Sequence, residues 1–253
     1  LLQLLVVAQF ALAFILVDGA GLMLQSLREV TGYRELVEPE KVLVAGYLQN
    51  QERGENLMLS DPFLETFLGR VRGLPGVSAV GASTTLPFQN MWSSDLLAEG
   101  EEYDPDVDVP STQMIPVSPG YFEAMGIRLV EGRDLSPADL TEGTLGVVVN
   151  EAFVRRRWPG ESALGKRVQA NAPADPWLEA VVVGVVADVR QYGLEAPAEP
   201  GMYLPFFPPF QPNRWIAVRT AGEPLTLAPA LREVFRDLDP HRPLTRVFTG
   251  PYL

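Results

Sequence analysis

The sequence predicts an α+β fold: an N-terminal transmembrane helix, then a strand–helix–strand subdomain that is split in sequence by a second, inserted α/β lobe. Three observations lead to this prediction. Residues 1–27 are almost entirely apolar. A strand–helix–strand pattern follows them, and the same pattern returns near the end of the chain. Between these patterns, short strands and short helices alternate, as expected from a chain with 23 prolines and 22 glycines.

Residues 1–27 are expected to form a transmembrane helix. From Leu4 to Leu24, only Gln9 and Asp18 interrupt the apolar run. At about 1.5 Å per residue, such a helix extends roughly 36 Å, enough to cross a hydrocarbon core of about 30 Å. No second run of this kind follows, so residues after about Arg28 are expected on one side of the membrane, as part of a longer protein.

Three other interpretations of this run are weaker. Soluble core helices seldom stay apolar on every face over such a length. A cleaved signal peptide would have a basic leader and a shorter apolar run. An interfacial helix would need a charged face.

The polar residues of this helix share one side. Successive residues turn by about 100°, so Gln3, Asp18 and Gln25 fall within roughly 60° of one another. A carboxylate in lipid is costly and usually faces protein or water. We expect this arc to face further membrane helices, unless Asp18 and Gln25 simply mark the helix end. The segment Gly19-Ala20-Gly21 lacks the third glycine of a dinucleotide fingerprint and would instead permit close helix packing.

Composition excludes several classes of function. The formal net charge is −12, which argues against nucleic-acid binding, because that function needs clustered Lys and Arg. The basic run Arg155–Arg157 is too short to supply such a cluster. No cysteine is present, which excludes disulfides, thiolate nucleophiles and cysteine-based metal sites. The chain therefore suits an extracytoplasmic bacterial domain, although a cytosolic one is equally compatible.

The first strand–helix–strand unit spans residues 42–84. Val42–Leu48 is apolar enough for a strand, and Asp61 with Pro62 predicts a capped helix start. Pro75-Gly76 ends the helix, and residues 77–84 are predicted to form the second strand. The apolar stripe of the helix consists of Phe63, Phe67, Val71 and Leu74.

The second unit repeats this pattern. Residues 215–220 alternate as a strand, Pro229 is tolerated in the first turn of the next helix, and residues 244–248 form a short strand. The matching stripe consists of Leu227, Leu231, Phe235 and Leu238. Two such units predict a split βαβ, ferredoxin-like sandwich, with one sheet and two helices on one of its faces.

The middle of the chain predicts the inserted lobe. It opens with an acidic loop, residues 99–108, and continues with a strand over residues 112–117. Ser118 is expected to cap a short helix. Residues 127–130 are expected to form a strand, followed by a turn at Glu131-Gly132. Asn150 is expected to cap a helix over residues 151–158. A β-rich run follows over residues 177–186, with a bulge at Gly184.

Residues 160–166, GESALGK, have the spacing of a phosphate-binding loop. The next residue is Arg167, where magnesium coordination needs Ser or Thr, and the segment follows a helix instead of a strand. We therefore predict a turn that leads into a strand at Val168.

No metal-binding or catalytic residues are predicted. Asp104, Asp106 and Asp108 alternate like calcium ligands, but Val109 and Ile115 occupy the positions of the turn glycine and the bidentate Glu, which favours a solvated acidic loop. Asp139 and Glu142 have no distinguishing context. His241 is the only histidine, and no G-x-S-x-G surrounds any serine. Paired carboxylates from distant segments stay open, but nothing singles out a pair.

Several segments together resemble a known family, the MacB-like periplasmic core domain of FtsX-like ABC transporter permeases. Within it, the chain looks closest to the duplicated-permease group typical of acidobacteria. The resemblance covers nearly the whole chain, and five pieces in this order are more specific than any one of them. The five pieces that carry it are residues 4–27, residues 67–87, residues 117–135, the pair 147–168 with 182–206, and residues 217–240.

This resemblance implies a domain organisation and a function. Residues 1–27 would be the first membrane helix, residues 28–90 and 212–253 a porter-like subdomain, and residues 91–211 a sabre-like lobe. The domain would lie on the periplasmic face of the bacterial inner membrane and would couple ATP-driven movement of membrane helices to periplasmic export or efflux. Its implied partners are the lipid bilayer, further helices of the permease, a separate cytoplasmic ABC ATPase, a second permease copy and periplasmic proteins. The family implies no catalytic residues and no cofactor.

Two other functions stay open at this point. A ligand-binding ectodomain of a membrane sensor would have a small-molecule pocket, and a membrane-anchored extracytoplasmic enzyme would have a cleft with perturbed carboxylates.

Overall fold

The computed structural model describes most of the chain after residue 37. Its described residues are 9, 13–14, 16–21, 23, 38–49, 62–86, 92–101, 111–140, 145–170, 178–189, 197–205 and 211–249. The chain divides into two compact units, residues 1–38 and residues 39–253.

In the first unit, the described positions from Gln9 to Met23 are helical and exposed. Across the described residues, no helix combines the length and hydropathy that crossing a membrane requires. Most of the predicted span over residues 1–27 lies outside the described residues, so the span and its end near residue 28 stay predictions.

The second unit contains strands, α-helices and 3₁₀-helices. The described helices are α1 (Pro62–Arg72), α2 (Tyr121–Met125), α3 (Glu151–Arg157) and α4 (Ala228–Leu238), with 3₁₀-helices at Pro39–Lys41, Pro137–Asp139 and Pro224–Leu227. The described strands are β1 (Val42–Leu48), β2 (Val77–Ser83), β3 (Trp92–Ala98), β4 (Ser111–Pro116), β5 (Leu129–Gly132), β6 (Leu145–Asn150), β7 (Arg167–Ala170), β8 (Leu178–Val186), β9 (Gly201–Leu204), β10 (Asn213–Thr220) and β11 (Arg246–Thr249). The α+β character predicted from the sequence is therefore correct.

The described strands at the two ends of the second unit form one antiparallel sheet, the first sheet, in the order β11-β1-β10-β2. Helices α1 and α4 cover one of its faces. Their apolar stripes bury Phe67, Val71, Leu231 and Phe235 against the strands, which explains why both helices lie on the same side. Phe67 and Phe235 meet edge to face, with ring centroids 5.2 Å apart.

Six described strands of the middle segment close into a ring, in the order β8-β6-β9-β4-β3-β7 and back to β8. Closure leaves these strands without free edges along the paired residues. Because side chains alternate along a strand, Val147 and Val149 of β6 point into the ring and Val148 points outward. On β9, Met202 points into the ring and Tyr203 points outward. The sequence predicted a mixed lobe here but not a closed ring.

Several local predictions need correction. The strand predicted at residues 127–130 is β5 at Leu129–Gly132, so the predicted Glu131-Gly132 turn is part of that strand. The bulge predicted at Gly184 lies one residue earlier, because Val182 and Gly184 pair with consecutive residues of β6 and leave Val183 extra. Asn150 caps α3 as predicted, since its Oδ1 accepts the Phe153 N–H at 3.0 Å. The predicted cap at Asp61 lies outside the described residues.

Candidate functional site

In the first sheet, the strand that comes first in the sequence, β1, lies beside the strand that comes last, β11. β1 begins at Val42 and β11 ends at Thr249, and Leu43 pairs directly with Thr249. Because the two strands are antiparallel, the chain enters and leaves this sheet at the same end, on neighbouring strands.

The opposite face of the first sheet contacts α2, a helix of five residues. Gly81 of β2 makes this contact possible, because a Cβ at this position would stand 2.5 Å from the backbone nitrogen of Tyr121. Gly120, at φ 83°, precedes the helix and also lies close to β2, since a Cβ there would stand 2.8 Å from the carbonyl oxygen of Val80. Helix and strand therefore touch backbone to backbone, which only glycine allows.

Ser118 fixes the segment before α2 to the edge of β2. Its N–H donates to the carbonyl oxygen of Ala82 at 2.9 Å, and the Ala82 N–H donates to its Oγ at 2.8 Å. The prediction that Ser118 caps α2 is therefore wrong, and Gly120 occupies the cap position. Ser83 and Val117 form a further isolated bridge beside this contact, so the first sheet and β4 of the ring are joined by backbone hydrogen bonds.

Two charged side chains hold the ends of α2. Asp134 Oδ2 accepts the Gly120 N–H at 3.2 Å, and its Oδ1 accepts the Leu135 N–H at 2.6 Å. Arg219 Nε, from β10, donates to the carbonyl oxygens of Glu123 and Ala124 at 3.1 and 3.2 Å. Arg219 thus meets carbonyls at the C-terminal end of the helix, where a cation is favoured.

Burial raises the pKa of the Asp134 carboxyl. The nearby charge of Glu123 acts in the same direction, whereas the two N–H donors and Arg133 act against it. The carboxylate is therefore held at this site at a cost that its hydrogen bonds offset only in part.

The far side of α2 packs against the outer surface of the ring. Phe122 meets Tyr203 of β9 edge to face, with ring centroids 4.9 Å apart. Ile115 and Val148 complete this contact, and all belong to one apolar cluster that also includes Val44 and Ala217 of the first sheet. The first sheet and the ring therefore share a core, with α2 at its centre. We call α2 together with Gly81, Ser118, Asp134 and Arg219 the α2 clamp.

A second polar cluster follows β5. Arg133 Nη1 and Nη2 each donate to one oxygen of Asp139 at 2.7 Å. Asp139 Oδ2 also accepts from the N–H and the hydroxyl of Ser136, at 2.7 and 2.9 Å. The hydrogen bonds from Arg133 hold the pKa of the Asp139 carboxyl below its ordinary value, although burial opposes them. Gly146 of β6 packs on this carboxylate, which a Cβ there would overlap.

Arg157 is buried although it ends a basic run. Its Nη1 donates to both oxygens of Glu101, at 2.9 and 2.7 Å, and its Nη2 donates to the carbonyl oxygen of Leu96 at 2.8 Å. The start of the predicted acidic loop is therefore anchored to α3. Asp104, Asp106, Asp108 and Glu142 lie outside the described residues.

The loop with phosphate-loop spacing is a turn between α3 and β7, as predicted. Lys166 contacts Glu161 of the same loop and lies 5.1 Å from the ring centroid of Trp158. Ser162 donates to Glu131 of β5 at 2.7 Å. Lys166 therefore forms its ion pair within the turn, and Ser162 connects the turn to β5.

The remaining predicted positions do not converge. His241 is exposed in the turn after α4, where its N–H donates to Asp239 Oδ1 at 3.0 Å. Gly19 and Gly21 are helical with open space around them. In the part of the chain that the structure describes, no three His, Asp or Glu side chains lie close enough to hold a metal ion.

A family model described as the MacB-like periplasmic core domain matches residues 5–233. None of the curated proteins compared matches the chain. The periplasmic region of MacB from Actinobacillus actinomycetemcomitans is similar in structure, with a TM-score of 0.53 at 16% identity over 84% of this chain and 90% of that one. The extracellular domain of the noncanonic ABC-type transporter YknZ from Gram-positive bacteria gives a TM-score of 0.50 at 15% identity, over 81% of this chain and 99% of that one. At these identities the two structures bear on the fold alone.

Proposed function

We propose that this chain, which belongs to the MacB-like periplasmic core domain family, is a non-catalytic lever that transmits movement from membrane helices to the periplasmic side of an ABC-type permease. In this proposal, residues 1–27 span the bacterial inner membrane and residues after about 28 are periplasmic. A separate cytoplasmic ATPase drives further helices of the permease, and the lever acts on a substrate or periplasmic partner, as part of a dimer of permeases.

The observation that carries the proposal is the pairing of β1 with β11. A lever must be held where force enters and must not deform between that point and the point where it acts. The pairing brings the start of β1 and the end of β11 together at one end of the first sheet. The core that this sheet shares with the ring supports transmission without loss of shape.

We further assign residues 28–90 and 212–253 to a porter-like subdomain and residues 91–211 to a sabre-like lobe. The antiparallel first sheet with α1 and α4 supports the first assignment, and the ring supports the second. Helix α2 would then belong to the lobe, and the α2 clamp, which includes Gly81 and Arg219 of the first sheet, would fix the lobe to the porter-like sheet.

Labelling of a single cysteine tests the membrane topology. Glu233 is exposed on α4, and the 253 residues contain no cysteine, so Glu233→Cys gives this domain one reactive thiol; any cysteines elsewhere in the permease are first replaced by Ser. We expect a membrane-impermeant maleimide to label it in intact spheroplasts, whereas a control cysteine in the cytoplasmic ATPase reacts only after lysis. Protection of Glu233→Cys until lysis would overturn the proposal.

Spin-label distances test the transmission of movement. The permease would carry one label at Glu233→Cys and a second in the ATPase, in lipid nanodiscs. We expect the distance between the labels to change between the nucleotide-free state and a state trapped with ATP in a hydrolysis-deficient ATPase. An unchanged distance would contradict a lever. A small molecule that raises the melting temperature of residues 28–253 would instead indicate a sensor ectodomain, and turnover of a compound by this fragment would indicate an enzyme.

A further inference from the structure

We propose that Arg219 and Asp134 are positioning residues that fix the ring at one angle to the first sheet by holding the two ends of α2. The proposal rests on the proposed function for its role in the cell. The structural claim itself concerns only the orientation of the first sheet relative to the ring.

Each of the two residues reaches α2 from a different part of the fold. Arg219 belongs to β10, in the first sheet, and donates to carbonyls at the C-terminal end of α2. Asp134 follows β5, which pairs with β8 of the ring, and accepts the N–H of Gly120 before the helix. The helix is thus tied to the first sheet at one end and to the ring side at the other.

Apolar contact alone does not define the angle between the two parts. Phe122 on Tyr203 and the surrounding aliphatic side chains form a non-directional contact that tolerates small rotations. Hydrogen bonds to the ends of α2 have strict geometry and lose most of their strength when the helix rotates. Together with the glycine contact at Gly81 and the hydrogen bonds between Ser118 and the backbone of Ala82, they restrict α2 to a single orientation.

Both residues meet backbone groups of the opposite polarity. Arg219 donates to carbonyl oxygens at the C-terminal end of α2, and Asp134 accepts an N–H at the N-terminal end, although burial raises the pKa of its carboxyl. Exchanging either charge for a neutral group of similar shape would therefore weaken the hold on α2 while leaving the shared apolar core in place.

Distance measurement within one domain tests the proposal. The full permease in nanodiscs would carry spin labels at Glu233→Cys on α4 and Arg156→Cys on α3, both exposed positions on opposite sides of the clamp. For the otherwise unaltered domain we expect one narrow distance peak that nucleotide does not change. Arg219→Gln and Asp134→Asn are each expected to lose this single peak and give a broadened or split distribution, with the circular dichroism of a folded protein. Arg70→Gln removes an exposed guanidinium from α1 and serves as the control that keeps the narrow peak.

The same labels separate this proposal from the proposed function. With a label in the ATPase, nucleotide should still move Glu233→Cys in the Arg219→Gln variant, but the response of Arg156→Cys should be lost or blurred. Narrow peaks in both Arg219→Gln and Asp134→Asn would overturn the positioning role even if the domain moves with nucleotide. Should one variant fail to fold, the other decides the outcome. If nucleotide produces no response in the unaltered domain, the lever function is contradicted, but the positioning role of Arg219 and Asp134 is not.

Discussion

Asp139 illustrates how a residue without sequence context can have a defined structural role. Its carboxylate joins Arg133, the backbone and hydroxyl of Ser136, and the surface of Gly146. The one signal that could have identified it is the spacing of Ser136 and Asp139, which together form a capping box around the intervening 3₁₀-turn. The pairing of Arg133 with Asp139 cannot be inferred from the local sequence, because a spacing of six residues does not determine the direction of the Arg133 side chain.

The Asp139→Asn substitution is expected to lower the free energy of unfolding at neutral pH by about 1–3 kcal/mol, since one charge-assisted pair is lost while half-exposed Arg133 regains water. The pKa of the Asp139 carboxyl is lowered in the folded protein, so its contribution is present above the ordinary value of 3.8 and is lost as the pH falls through the folded pKa. Urea unfolding from pH 7 down to pH 3 should therefore show the difference between the two proteins shrinking towards the acid end. Asp237→Asn, on the exposed face of α4, is the control. A difference that does not depend on pH would contradict the assignment.

At the scale of elements, the accuracy of the sequence analysis follows the range of the interactions involved. β1, α1, β10 and α4 were predictable because their apolar periodicity is encoded within each segment. Ser118 was misassigned because its hydroxyl has two local options, and the strand edge at Ala82, which is distant in sequence, binds it instead. β3 was missed because Trp92–Ala98 holds polar residues at its start and is stabilised by pairing with β4 and β7.

The α2 clamp was not predicted, because its contacts also join residues that are distant in sequence. Gly81 and Gly120 carry no sequence signal that separates them from turn glycines, yet they place α2 on β2. Arg219 and Asp134 are 85 residues apart by their numbers, and only the fold brings each of them to an end of α2. Such a site depends on three-dimensional proximity, which a single sequence does not encode locally.

Asn150 is expected to be the most sensitive cap in the ring. Its Oδ1 accepts the N–H groups of Phe153 and Gly201, at 3.0 and 2.9 Å, and its Nδ2 donates to the carbonyl oxygen of Glu199 at 2.8 Å. Asn150→Ala removes a helix cap and leaves buried partners without a bond, which should cost about 2–4 kcal/mol. Chemical denaturation measures this cost, and Asn150→Asp, which keeps the Oδ1 acceptor, should recover part of it. Equal stability of Asn150→Ala and the unaltered protein would refute this role.

Two glycine-to-alanine substitutions give a matched test of the contact between α2 and β2. Gly81→Ala would force a Cβ against the backbone of Tyr121, so the helix or the strand must move, and we expect a destabilisation of about 1–3 kcal/mol. Gly69→Ala lies on the exposed side of α1 with open space around it, so helix propensity should stabilise it by about 0.5–1 kcal/mol. Melting temperatures should therefore shift in opposite directions. A shift of the same sign for both would show that the close contact is not essential.

For the whole molecule, the shared core determines whether the first sheet and the ring are separate domains. The residues that face α2 from both sides belong to one cluster, which includes Val44 and Trp215 of the first sheet and Tyr203 of the ring. An isolated first sheet would expose this face to water, and an isolated ring would expose its outer surface around Tyr203. Each part alone would thus present a large apolar patch, which favours association over an independent soluble fold.

We therefore expect residues 39–253 to unfold in a single transition. Trp215 is buried on the first sheet and Trp158 lies in the core of the ring, so variants that keep only one of these tryptophans, with the others changed to Phe, report on each part separately. In each variant the urea transition followed by tryptophan fluorescence should coincide with the transition followed by far-UV circular dichroism, because neither part keeps its core without the other. A fluorescence midpoint of Trp158 that departs from the circular dichroism of the same protein would mean that the ring unfolds on its own. In that case the domain bends at the α2 clamp under load, and movement applied at β1 and β11 would reach the ring only in part.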